Sequence, residues 1–112
     1  MNEFQDKLKI KMDEYVKLVY KVSRSFPREE VYGITSQLRR ASLSIILNYI
    51  EGFARFKKNV KHNFYEIAYG SLKESKYLVY FCHSENFIDK ETYNRLLDLS
   101  EEIGKMLWTE MK

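Results

Sequence analysis

Apolar residues recur at steps of three and four in four separate stretches of this chain, and almost nothing interrupts them. In the first stretch Phe4, Leu8, Met12, Tyr15, Val19 and Val22 fall on one stripe of a helix, with Lys7, Lys11, Lys17 and Lys21 mostly off it. Only four Gly and one Pro occur in 112 residues, too few turn formers for a sandwich or barrel of many short strands. The reading is all-α, one domain spanning 1–112, with helices at about 4–23, 27–56, 60–83 and 90–111.

The boundaries follow from local chemistry. Pro27 suits the first position of a helix, and Glu29 and Glu30 would place carboxylates at the positive end of its dipole. The spacing therefore predicts one long second helix from Pro27 to about Phe56, roughly 45 Å. Val31, Ile34, Leu38, Ala41 and Ile45 form its main seam, extended by Asn48 and Gly52. Leu43, Ile46, Leu47, Ile50 and Phe53 spread apolar character beyond one face, which predicts a contact with another subunit. RFKKNVK (55–61) reads as a loop, with Asn59 as the cap of helix three. That helix presents Phe64, Ile67, Ala68, Ser71, Leu72, Ser75, Leu78, Val79 and Cys82, and the small residues at 68, 71 and 75 allow a neighbour to approach closely. Ser84–Asp89 reads as a loop, with Asp89 capping a last helix built on Tyr93, Leu96, Leu97, Ser100, Ile103, Met106 and Leu107. Short loops between helices of similar length predict an antiparallel up-down-up-down four-helix bundle.

Charge is unevenly divided. Residues 1–61 carry 13 Lys/Arg and 7 Asp/Glu (+6), residues 62–112 carry 6 and 9 (−3), and together they make the net +3. A basic half beside an acidic half suits nucleic acid on one face or subunits stacked with opposite fields. The single Cys excludes an intrachain disulfide and fits a reducing, cytoplasmic setting. The charged opening MNEFQDKLKIKMDEY has no secretory apolar core, and ASLSIILNYI (41–50) is too short to span a membrane.

Enzyme chemistry finds no support. A carboxylate-bridged metal pair in a bundle needs Glu three residues before His, and Asn59 and Tyr80 precede His62 and His83 at that spacing. Cys82 and His83 are adjacent on a helix and diverge, so they cannot act as nucleophile and base. No phosphate loop or dinucleotide fingerprint occurs, and no cofactor is expected.

Two polar constellations remain. Gln37, Arg40, Ser44, Asn48, Glu51 and Arg55 lie along one line of helix two, and Glu66, Gly70 and Glu74 lie along one line of helix three. An arginine such as Arg40 pairing across the bundle would make the stripe a register device; a polar ligand groove or oligomer channel is the alternative. Arg39, Arg40, Arg55, Lys57, Lys58 and Lys61, interleaved with Phe56, Phe64 and Tyr65, combine cations for phosphates with faces for unpaired bases. A solvated loop beside ordinary core aromatics is the plainer account of the same residues.

FPREEVYGITSQLRRASLSIILNYIEGFAR (26–55), followed by FYEIAYGSLKES (64–75), resembles the 23S ribosomal RNA intervening-sequence protein family, also called the four-helix-bundle protein family. The shared pattern is F-P-x-E-E, then G-[LI]-T-S-Q-L-R-R-A, S-I, N-x-x-E-G and I-A-x-G-S-L-x-E. Ile50 stands where the family commonly has alanine. The resemblance implies a four-helix bundle in a cyclic homopentamer, and contact of Arg39, Arg40 and the 55–61 segment with RNA or a ribonucleoprotein. It also implies a place beside relatives that assist the reverse transcriptase of diversity-generating retroelements. A protein-interaction scaffold is the alternative in which nucleic acid is incidental.

Overall fold

The computed structural model describes residues 1–112, which form four α-helices and no strand: α1 (Glu3–Ser23), α2 (Ile34–Phe53), α3 (Lys58–Ser84) and α4 (Lys90–Met111). α1 starts on a reciprocal cap, with the Gln5 amide donating to Asn2 Oδ1 at 2.8 Å and the Asn2 amide to Gln5 Oε1 at 3.0 Å. Asp89 caps α4 as its sequence predicts, accepting from the Thr92 amide at 2.8 Å.

The second helix is shorter than its sequence suggests. Pro27 opens a single 3₁₀ turn, Arg28–Glu30, and α2 begins only at Ile34, because Gly33 adopts a non-helical φ −109°, ψ −115°. The Glu30 carboxylate folds into this break and accepts the Ile34 amide at 3.3 Å. Its charge thus caps α2 from outside rather than sitting in the helix's first turn. A Cβ at position 33 would lie 2.9 Å from that Glu30 oxygen, so a side chain there would push the flexible carboxylate away from the Ile34 amide. α2 ends at Phe53, so the connection to α3 is only Ala54–Lys57, and Lys58 and Lys61 belong to the first turn of α3. Lys57, not Asn59, occupies the cap position and supplies no side-chain hydrogen bond. Packing of Tyr65 and Ala68 into the core carries α3 back over residues whose charges oppose the helix dipole.

α3 closes with a Schellman motif: the Phe87 amide donates to the Cys82 carbonyl at 2.8 Å and the Asn86 amide to the His83 carbonyl at 3.0 Å. Asn86 supplies the left-handed conformation, φ 64°, that this motif requires. His83 Nδ1 then donates to the Ile88 carbonyl at 2.9 Å while its ring stacks on Tyr93, centroids 4.3 Å apart.

Each helix packs against its chain neighbours and α1 also packs against α4, while the diagonal pairs approach only through long side chains, Tyr15 reaching from α1 to Ser75 on α3 and Tyr49 from α2 to Glu110 on α4. Along α1 and α4, Gln5 meets Glu110, Lys11 meets Glu102 and Glu14 meets Arg95, so numbers fall on one helix as they rise on the other. The core inside this ring includes Leu8, Met12, Leu38, Ile45, Leu72, Leu96, Leu99 and Ile103, all essentially sealed from solvent. Small residues on α3 also supply polar ties between helices. Tyr15 Oη donates to Ser75 Oγ at 3.0 Å, and Ser75 in turn donates to the Leu72 carbonyl at 2.9 Å. The Ser44 and Ser71 hydroxyls meet at 2.7 Å where α2 and α3 pack. No helix is long and apolar enough to cross a membrane.

Candidate nucleic-acid interface

The six basic residues singled out in the sequence do not form one patch. Arg55, Lys57, Lys58 and Lys61 gather at the α2–α3 turn, while Arg40 lies fifteen positions before Arg55, about 22 Å away along α2 and its extension. Arg39 projects to yet another side, because consecutive residues on a helix are turned about 100° apart.

At the turn, Arg55 pairs with Glu51 one helical turn earlier and places its guanidinium 5.1 Å from the Phe64 ring centroid. Lys61 Nζ lies 5.5 Å from the Phe53 ring. Lys57 and Lys58 are exposed and make no ion pair. Four cations therefore face one paired carboxylate at the uncapped start of α3, whose first amides add their own positive potential. Phe56 stands between them fully exposed, a large apolar ring with nothing packed on it. The local chemistry is that of an anion surface with an aromatic face.

Arg39 is instead a structural tie. Its Nε donates to Ser23 Oγ at 2.8 Å and its guanidinium lies 4.7 Å from the Tyr20 ring, which joins α2 to the end of α1. Beside it Tyr32 is 95% exposed. Sequence reasoning missed Tyr32 because it assumed one continuous helix from Pro27; the break at Gly33 throws the ring outward, and Gly33 was the signal available.

The polar stripe lies on the outside of the bundle rather than in a core seam. Gln37, Arg40, Glu51 and Arg55 are exposed, Ser44 and Asn48 half-buried, and Glu66 and Glu74 exposed on α3. Asn48 Nδ2 donates to the Ser44 carbonyl at 2.8 Å and to Ser44 Oγ at 3.0 Å. Arg40 and Glu74 share a recess of about 370 Å³ with Gln37, Ser44 and Ser71, yet Arg40 forms no ion pair there. Glu66 faces His62, 4.0 Å from Nδ1, and Glu51 is held by Arg55. The pairing of Arg40 with a carboxylate across the bundle is thus corrected: the carboxylates find partners on their own helices or none.

An outward row on α3 accompanies this stripe. Ile67, Gly70, Glu74, Tyr77 and Phe81 recur at steps of three and four and face outward, all of them exposed. Nothing lies within 4 Å of a Cβ built on Gly70. On α2, Leu47 is 58% exposed and Ile50 lies in the open beside it.

The 23S rRNA-intervening sequence protein family model matches residues 7–109. A crystal structure of a protein of unknown function from the S23 ribosomal protein family of Bacteroides thetaiotaomicron superposes with TM-score 0.88 at 21% identity, over 96% of this chain and 97% of that one. Comparison with curated proteins gives no match. The match spans nearly the whole bundle, including the Gly33 break and the α2–α3 turn, and the chain belongs to the 23S rRNA-intervening sequence protein family.

Proposed function

We propose that this protein is a non-enzymatic, cytoplasmic, antiparallel up-down-up-down bundle that assembles into a homopentamer and holds structured RNA or a ribonucleoprotein. The observation that carries the reading is the α2–α3 turn, where Arg55, Lys57, Lys58 and Lys61 converge on an uncapped helix start beside a bare Phe56 ring. Cations there take phosphates, and repetition around a ring multiplies a modest affinity through avidity. The outward apolar residues Leu47, Ile50, Ile67, Tyr77 and Phe81 support self-association, because a small protein gains by covering such rows.

The test is binding of the purified protein to a structured RNA and a length-matched DNA duplex at low and physiological salt. Tight, salt-sensitive binding that an Arg55/Lys57/Lys58/Lys61→Ala variant loses supports the reading. Absence of binding at low salt, with the protein folded, overturns it. The same apolar rows favour the second reading, a protein-interaction scaffold or accessory subunit, for example to a reverse transcriptase. In that case partner binding resists salt while RNA binding does not develop.

A further inference from the structure

The α3–α4 side carries a second combination of ring and cations that the α2–α3 turn does not include. Tyr69, Lys73 and Lys76 on α3 face Glu101, Lys105 and Trp108 on α4 across a groove of about 330 Å³. Its floor is Leu72, Ser100 and Gly104. A Cβ on Gly104 would meet Leu72 Cδ2 at 3.5 Å, an ordinary contact, so packing does not demand a glycine there and its effect is to deepen the groove.

Trp108, the sole tryptophan, forms one wall and is 53% exposed. The Tyr69 ring lies behind it, centroids 5.8 Å apart and planes tilted by 49°, so the two rings buttress each other without covering the indole. Lys73 Nζ lies 5.2 Å from the Tyr69 ring, which holds its charge at the groove. Glu101 is the one carboxylate lining the groove, and Lys76 bonds to it. That hydrogen bond and the Lys76 charge, with Lys73 and Lys105 farther off, hold the Glu101 carboxyl below its usual range. Three ammonium groups thus surround one anion, leaving Lys73 and Lys105 free of ion pairs.

We propose that this groove seats one unpaired nucleobase of a single-stranded RNA segment, stacked on Trp108, with its flanking phosphates on Lys73 and Lys105. An acidic peptide would satisfy the lysines but makes no use of a flat, buttressed, exposed indole. A nucleotide offers a π-face and an anion at neighbouring positions, and the groove offers a counterpart to each. Lys73 lies fifteen residues from Lys58, about 22 Å along α3, so the site stands independently of the α2–α3 turn.

Trp108 provides its own readout. The full chain is titrated at low salt with a ten-nucleotide uridine RNA and with an abasic oligomer of equal length, following indole emission. The expected result is saturable quenching by the RNA, no quenching by the abasic oligomer, and a midpoint weakened about tenfold in a Lys73→Ala/Lys105→Ala variant. A Lys7→Ala/Lys21→Ala variant, which removes the same charge from exposed, unpaired positions on α1, should keep the quenching midpoint within about twofold, which separates this site from attraction by net charge alone. Emission unmoved by RNA in a folded protein overturns the proposal. So does equal quenching by the abasic oligomer, or emission that follows protein concentration rather than RNA, which would mark the groove as a contact between copies.

Discussion

The edge of the Tyr65 ring occupies the space where a side chain at position 52 would begin: a Cβ on Gly52 would stand 2.7 Å from Tyr65 Cε1 and 3.1 Å from the Lys61 carbonyl. Tyr65 cannot retreat easily, because it is buried and stacks on Tyr49 with centroids 5.1 Å apart. Tyr49 is fixed in turn by donating to Glu110 at 2.8 Å. The Gly of the Glu-Gly pair is thus the seat of a ring that locks α2, α3 and α4 at one end of the bundle.

Gly52→Ala should lower stability by about 1–3 kcal/mol, since overpacking here outweighs the gain in helix propensity. Gly70→Ala should do the opposite, raising protomer stability by about 0.5–1 kcal/mol, because its surroundings are open. Urea denaturation of the two variants decides this directly. If both lower stability alike, room for Tyr65 is not what Gly52 serves.

Adjacent arginines should separate in their effects. Arg39→Ala removes the bond to Ser23 and the contact with Tyr20, and should cost about 1 kcal/mol. Arg40→Ala, on an exposed side chain without an ion pair, should stay within about 0.5 kcal/mol. Thermal or chemical denaturation of the pair tests the assignment of Arg39 to structure.

Stability should fall on the alkaline side. Burial pushes the Tyr15 and Tyr65 hydroxyls and the Cys82 thiol up to about 12. These folded-state values lie above those of the open chain, so the unfolded protein releases its protons first. The contribution is complete below about pH 8, where the thiol of the open chain begins to titrate, and declines as pH climbs towards 12. Denaturation midpoints measured from neutral to strongly alkaline pH should show this slope, and Tyr15→Phe should make it shallower. A flat profile would contradict the packing described for these groups.

RNA binding through the α2–α3 turn should leave an ionic signature. For each phosphate that the protein no longer neutralises, the slope of log K against log salt should flatten by about 0.7–0.9. Removing Lys57 and Lys58 together should therefore reduce it by roughly one and a half. An unchanged slope with unchanged affinity would move the interface elsewhere.

Periodicity and capping made much of the bundle legible beforehand. α4 could be read to its ends because Asp89 is an unambiguous cap and Leu96, Ser100, Ile103 and Leu107 keep one spacing. Helix two misled because Val31 and Ile34 continue its apolar rhythm across a break that only Gly33 betrays. Rhythm records which side of a helix is apolar; it does not record where the backbone leaves the helix. The start of α3 was hidden for a related reason: RFKKNVK has no pattern, and burial of Tyr65 and Ala68 farther along brings Lys58 into the helix. The polar stripe from Gln37 to Glu51 lies within α2, and Arg55 lies beyond the end of the helix. Whether a neighbouring helix covers that line depends on the angle at which α3 crosses, which composition does not encode. The Trp108 groove was invisible because its lysines and rings come from two helices some thirty residues apart in the chain.

The Cys82 thiol is wholly enclosed, and burial, with the nearby Glu30 charge, keeps it protonated at any ordinary pH. A thiol in that condition is silent to alkylating reagents for as long as α3 stays seated, and the chain has no second one to confuse the signal. The rate at which a maleimide labels the native protein is therefore a clock for its spontaneous openings. RNA, partner subunits or any other ligand that grips the closed form will slow that clock in proportion to its hold.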